Sequence, residues 1–72
     1  NYGTLEVNLG IASGALGDHA GAERHFQRAL QLQPDDPNSH FFYARWLGER
    51  LRLDEAVAHL QRTVALSPAR LD

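Results

Sequence analysis

Apolar residues recur along this chain at the spacing of amphipathic helices. The first run places apolar side chains at intervals of four, three and four residues: Leu5, Leu9, Ala12 and Leu16. Three further runs keep a spacing of three or four residues, and they begin at Ala22, Tyr43 and Ala56. Such a spacing puts each run on one face of a helix. No segment alternates apolar and polar residues, so the pattern predicts an all-α fold without strands.

Residues that start and stop helices set the predicted boundaries. Gly14 and Gly17 interrupt the first run, and the Asp18 carboxylate is expected to cap the second helix by accepting backbone N–H bonds. Pro34 ends the second helix because proline cannot continue it. Asp54 is expected to begin the fourth helix. The predicted helices cover residues 3–16, 19–33, 37–51 and 54–67.

The second half of the chain repeats the first at an offset of 34 residues. Identical residues at this offset include Gly14 and Gly48, Ala22 and Ala56, His25 and His59, and Pro34 and Pro68. Two repeated pairs of antiparallel helices are therefore expected, in residues 1–36 and 37–68. Residues 69–72 are expected to begin a further helix that is cut off.

Small and large residues alternate in a way that favours close helix packing. Ala22 and Ala56 are each followed, four residues later, by a large apolar residue. We expect Phe26 and Leu60 to fill the space between helices that the alanines allow to approach. Among the aromatic residues of segment 41–46, Tyr43 and Trp46 are expected to pack between helices, which leaves Phe41 towards the groove with Arg45 one turn on.

Composition excludes several classes of partner. The net charge is −2 with acidic and basic residues interspersed, which provides no basic patch for nucleic acid or an anionic membrane. No cysteine is present, and no apolar run approaches the roughly 20 residues of a membrane span. The chain begins at Asn1 without any methionine, so a segment of a longer protein is expected. Arginine in place of lysine throughout favours a bacterial source, and the compartment stays open between cytoplasm and periplasm.

No residue pattern predicts catalysis, a cofactor or a metal ion. A metal site requires several histidines to converge. The equivalent His25 and His59 are expected on one face of successive repeats, where two imidazoles are more often surface or half-buried repeat residues than metal ligands. General acid–base chemistry requires a closed pocket, whereas two hairpins offer an open groove. The glycines at positions 10, 14, 17 and 21 do not have the spacing of a phosphate-binding loop. A protein that is not an enzyme is therefore expected.

The repeated residues resemble those of the tetratricopeptide repeat family. That family has a leucine–glycine pair in its first helix, then an alanine with an aromatic residue four positions on, and a closing proline, over 34 residues. The first unit matches with Leu9-Gly10, Ala22 and Phe26, and Pro34. The second unit matches with Tyr43-Ala44, Ala56 and Leu60, and Pro68. Both units depart from the pattern at the position where the family has an early tryptophan, which holds Glu6 in the first unit and His40 in the second.

The resemblance implies a right-handed superhelix of stacked hairpins, a fragment of a solenoid, whose first helices line a concave face. Family members bind peptides or protein segments there as non-catalytic scaffolds. By position, the expected binding residues are Val7, Ile11, Asn38, Phe41, Arg45 and Glu49. The lysine and asparagine with which some members grip a C-terminal carboxylate are absent, which disfavours a chaperone-tail receptor.

Two alternatives to a peptide-binding scaffold remain open. Repeat units with no polar cap at either end leave apolar ends exposed, so the chain is also a candidate for self-association into a homo-oligomer. It is equally a candidate for a substrate-presenting appendage of a larger enzyme, such as a glycosyltransferase. In each case the expected partner is a protein or peptide.

Overall fold

The chain folds into four helices that pack in pairs as two hairpins. The computed structural model describes residues 2–67, with α1 at Tyr2–Ala15, α2 at His19–Leu32, α3 at Pro37–Glu49 and α4 at Leu53–Leu66. No strand occurs among these residues, and the predicted all-α fold is confirmed. Every helix boundary lies within two residues of its predicted position. The helix start predicted at residues 69–72 lies outside the described residues.

Side-chain caps position the second and third helices. The Asp18 carboxylate accepts a hydrogen bond from the Gly21 backbone N–H at 3.0 Å, which confirms the predicted cap. Gly17 allows the tight turn before it, with a φ of 84° that glycine adopts readily. At α3, the Asp36 carboxylate accepts from the Asn38 N–H at 3.1 Å. Both short connections are therefore closed by an aspartate.

The fourth helix begins differently. Its first residue is Leu53, and the preceding Arg52 makes no side-chain capping hydrogen bond. Asp54 lies in the first turn instead of at the cap, together with Glu55. Two carboxylates there interact favourably with the positive end of the helix dipole.

Phe26 lies at the centre of the core. Its side chain is 1% exposed, and its ring centroid lies 5.6 Å from that of Tyr43 and 6.0 Å from that of Trp46. A Cβ on Gly10 would lie only 3.0 Å from the Phe26 ring, so this glycine lets α1 approach α2. Tyr43 and Trp46 pack between helices, as predicted.

Leu60 does not fill the equivalent place in the second hairpin. Its side chain is 39% exposed, on a face of α4 that no described residue covers. Phe26 is buried because α3 packs over it, and the described part of the chain has no further helix to do the same for Leu60. The prediction that Leu60 packs between helices is therefore wrong.

Polar contacts join the two hairpins beside this core. The Tyr43 hydroxyl donates to a Glu23 carboxylate oxygen at 2.9 Å, and the Arg52 guanidinium lies 2.7 Å from the same oxygen. The hydrogen bond from Arg52 holds the pKa of Glu23 below its ordinary value. Burial raises the pKa of Tyr43. The contact therefore favours an ionised carboxylate facing a protonated phenol at neutral pH.

Of the four helices described, none combines the length and the apolar character that crossing a bilayer requires.

Candidate functional site

A cleft opens between α1 and α3, the first helices of the two hairpins. Its volume is about 240 Å³, and it is lined by Ile11, Gly14, Ala15, Phe26, Phe42, Arg45, Trp46 and Glu49. Three of the residues expected at a binding face lie here together: Ile11 from α1, and Arg45 and Glu49 from α3. The floor is apolar and aromatic, and the two charged side chains are exposed at its mouth.

The other expected binding residues lie around this cleft. Val7 and Asn38 line an adjoining cleft of about 280 Å³, which shares Phe42 with the first. Val7 is only 5% exposed, so most of its side chain belongs to the core. Phe41 lies in a groove between α3 and α4, which shares Arg45 with the first cleft. The six expected residues are therefore distributed over three neighbouring cavities.

Phe42 is a cleft residue that was not among the expected binding residues. Its half-buried ring lines both clefts, and the Arg45 guanidinium carbon lies 5.4 Å from its centroid. A cation over an aromatic face at this distance is attracted by the ring. The spacing in α3 carries a signal for this placement, because Phe42 lies four residues after Asn38 and three before Arg45. Both neighbours are on the same helix face.

Arg45 and Glu49 carry the charges at the mouth of the cleft. Within the described residues, no carboxylate forms an ion pair with Arg45, and no basic side chain forms one with Glu49. The two side chains are one helical turn apart, and both are exposed. The mouth therefore presents one cationic and one anionic group side by side.

Trp46 adds an unused hydrogen-bond donor to the wall. Its indole Nε1 is buried and has no acceptor in the described part of the chain. This nitrogen lies 3.2 Å from the position that a Cβ on Gly14 would take, and Gly14 lines the same cleft. The absence of a side chain at Gly14 thus lets the Trp46 ring lie against α1, and the donor is covered there.

The histidines take part in a contact that repeats between the hairpins. In the first hairpin, His25 Nδ1 lies 2.7 Å from a Glu6 carboxylate oxygen. In the second, the equivalent positions hold His59 and His40, whose Nδ1 atoms are 3.0 Å apart. The two members of the pair are 19 residues apart in both hairpins. The positions where the family pattern has tryptophan therefore supply a polar partner for the repeated histidine.

The tautomers of the second pair follow from its other contact. His40 Nε2 lies 2.7 Å from the Pro34 carbonyl oxygen, which can only accept, so Nε2 carries the hydrogen. His40 Nδ1 then accepts from His59 Nδ1. Burial lowers the pKa of His59, and the neighbouring His40 lowers it further. Among the described residues no group of three or more metal-binding side chains occurs, so the pair has no third ligand for a metal ion.

Acidification is expected to destabilise the fold through His59. The unfolded chain takes up a proton at the ordinary pKa of 6.5, whereas the folded chain resists until a lower pH. Stability is therefore lost as the pH falls through 6.5 and levels off below the lowered pKa. Urea unfolding at several pH values between about 7.5 and 5.5 measures this loss and stays above the range where Glu23 titrates. His59→Gln is expected to flatten the dependence; a slope equal to that of wild type in this variant would contradict this role of the pair.

The repeated hairpins and the cleft between first helices define a helical-repeat protein. Comparison with protein-family models matches residues 1–69 to the tetratricopeptide repeat. The chain belongs to the tetratricopeptide repeat family. Comparisons with curated proteins and with solved structures each found no match. Repeats of this family are generally non-catalytic modules for protein interaction or scaffolding, so the family indicates protein partners.

Proposed function

We propose that this chain is a non-catalytic scaffold that binds a peptide or protein segment in the cleft between α1 and α3. The observation that carries the proposal is the convergence of Ile11, Arg45 and Glu49, from two helices that are far apart in sequence, on one cleft. Its volume of about 240 Å³ lies below the several hundred Å³ of sites for drug-sized molecules. A single side chain of a longer bound segment suits this volume better.

The chemistry of the lining favours a segment with an apolar side chain beside an acidic one. Phe42 and Ile11 offer apolar surface to the first. The Arg45 guanidinium, held over the Phe42 ring, has its donors free for a carboxylate. Glu49 disfavours a second acidic group one turn further along α3. Aromatic and arginine side chains are the ones that dominate the energetics of protein interfaces.

Val7 and Asn38 extend the proposed surface through the adjoining cleft. Phe41 faces the groove between α3 and α4 and stands outside the proposed contact.

Reversing the charge of Arg45 is expected to weaken peptide binding by at least about tenfold, since the substitution replaces an attraction with a repulsion. Peptides selected from a random library against the chain are titrated into wild type and Arg45→Glu. The intrinsic fluorescence of Trp46, the single tryptophan, reports binding in the cleft.

The matched control is Arg24→Glu, which makes the same charge change at an exposed position of α2 that lines none of the three clefts. It is expected to bind as wild type does, and both variants are expected to keep their circular dichroism. Equal binding by Arg45→Glu and Arg24→Glu would place the site elsewhere. Loss of helix in Arg45→Glu alone would make Arg45 a structural residue.

A further inference from the structure

Large exposed apolar side chains concentrate on two opposite ends of the repeat. One set, the α1 row, consists of Leu5, Leu9, Ala12 and Leu16. The other, the α4 row, consists of Leu53, Val57, Leu60 and Val64. The large members of the two rows are between 39% and 86% exposed. Both rows have helical spacing, so each forms an apolar stripe, and Leu16 extends the stripe of α1 one residue beyond the end of that helix.

The α4 row borders a groove that α3 completes. Its volume is about 490 Å³, and Phe41, Ala44 and Ala56 line it together with members of the α4 row. Arg45 is its only charged lining residue. A second apolar helix lying along the groove would bury the α4 row as α3 buries Phe26.

The interface inside the chain shows how such a helix packs. Tyr43 of α3 stacks on Phe26 of α2, and its hydroxyl donates to Glu23. Trp46, one turn on, also contacts the Phe26 ring. The residues of α3 that meet the first hairpin therefore follow a helical stripe that includes Tyr43 and Trp46.

The 34-residue offset gives the residues that would form the same interface between the two ends of the chain. In the helix that packs onto the groove, the residues equivalent to Tyr43 and Trp46 are Leu9 and Ala12, both members of the α1 row. In α4, which borders the groove, the residues equivalent to Phe26 and Glu23 are Leu60 and Val57, both members of the α4 row. The hydrogen-bonded pair is thus replaced on both sides at once by an apolar pair. Each end has the chemistry that the other end requires.

We propose that α1 of a second copy of this chain packs into the groove between α3 and α4, in the register with which α3 packs on α2. Leu9 of one copy then contacts Val57 and Leu60 of the next. The contact joins two different surfaces, so each pair of copies leaves one of each surface uncovered, and further copies add head to tail. The groove shares Arg45 with the cleft between α1 and α3, and its other lining residues are distinct from those of that cleft.

Sedimentation equilibrium of the 72-residue chain over a wide concentration range tests the proposal. The average mass of wild type is expected to rise with concentration beyond that of a dimer. Leu9→Lys and Val57→Lys are each expected to weaken association by at least about tenfold, because a charge enters an apolar contact. Leu32→Lys is the control, since Leu32 is 47% exposed and lies outside both rows; it is expected to associate as wild type does.

An equimolar mixture of Leu9→Lys and Val57→Lys separates head-to-tail packing from other modes. Each variant keeps one intact row, so the mixture is expected to form a heterodimer and nothing larger. Association of Leu9→Lys with itself would point to a symmetric contact through the α4 row and overturn the proposal. A wild type that stays monomeric at every concentration would also overturn it and leave the groove to a different helix. Circular dichroism of each variant confirms that the helices are retained.

Discussion

Replacing Phe26 with alanine is expected to remove a large fraction of the free energy of unfolding of the chain. The side chain is 1% exposed, stacks on Tyr43 and contacts the ring of Trp46, so its removal opens a cavity at the contact of three helices. Such truncations cost about 3–5 kcal/mol. A domain of this length has a total stability of only about 4–11 kcal/mol at the usual value per residue. Urea unfolding followed by circular dichroism measures the loss.

The repeat supplies a matched control for this change. Leu60 occupies the equivalent position in the second hairpin but is 39% exposed. Leu60→Ala is expected to cost less than about 1 kcal/mol, because little of the side chain leaves an apolar environment. Dilute samples keep association from contributing to either value. Similar losses in the two variants would mean that Leu60 is covered in solution.

The helices were predictable because their signals are local. Apolar spacing within each run and the Asp18 cap depend on residues that are close in sequence. The sequence predicts that α4 begins at Asp54, one residue later than the observed Leu53, because Asp54 has the chemistry of a cap yet lies inside the first turn. Residue type alone does not decide which of two neighbouring positions becomes the first residue of a helix.

Burial was harder to predict because it depends on neighbours that the repeat does not share. Phe26 and Leu60 are equivalent by sequence, yet only Phe26 has a helix packed over it. The contact between His40 and His59 was missed for a related reason. It joins residues 19 positions apart, so it depends on how two helices align and not on one helical period. The sequence does contain a signal for this contact. Glu6 and His25 are equivalent to His40 and His59, and each pair combines a histidine with a second polar side chain.

The candidate site was predictable in part. Ile11, Arg45 and Glu49 were expected at a binding face from their positions in the repeat, and they line one cleft. Phe41 was expected there too but lines the groove between α3 and α4. Adjacent residues of a helix point about 100° apart, so a rotation of one position exchanges Phe41 for Phe42. The unsatisfied Trp46 donor could not be predicted, because it results from the exact placement of several side chains.

Equivalent glycines in the two hairpins have different neighbours. Gly14 and Gly48 are equivalent by sequence, but a Cβ on Gly14 would lie 3.0 Å from the Trp46 ring, whereas one on Gly48 would have no neighbour within 4 Å. Gly10 resembles Gly14, because the Phe26 ring lies against it. The glycines of α1 therefore serve the approach of aromatic rings, while Gly48 serves no such approach in the described structure.

Alanine substitutions at Gly10 and Gly48 are accordingly expected to have opposite effects. Gly48→Ala is expected to stabilise the fold by about 0.5–1 kcal/mol, because alanine favours the helix and meets no neighbour. Gly10→Ala gains the same helical preference, but its Cβ presses on a Phe26 ring that its stacked neighbours hold in place. Overpacking of this kind costs about 1–3 kcal/mol, so a net loss is expected.

Urea unfolding of both variants in dilute solution measures the two changes with the same probe. Circular dichroism of the folded state is expected to be unchanged, since neither substitution removes a hydrogen bond. A stabilised Gly10→Ala would mean that the Phe26 ring shifts by a few tenths of an ångström without loss, and that the α1–α2 contact is looser than its geometry indicates. A destabilised Gly48→Ala would instead mean that the groove between α3 and α4 is filled at the concentration of the experiment.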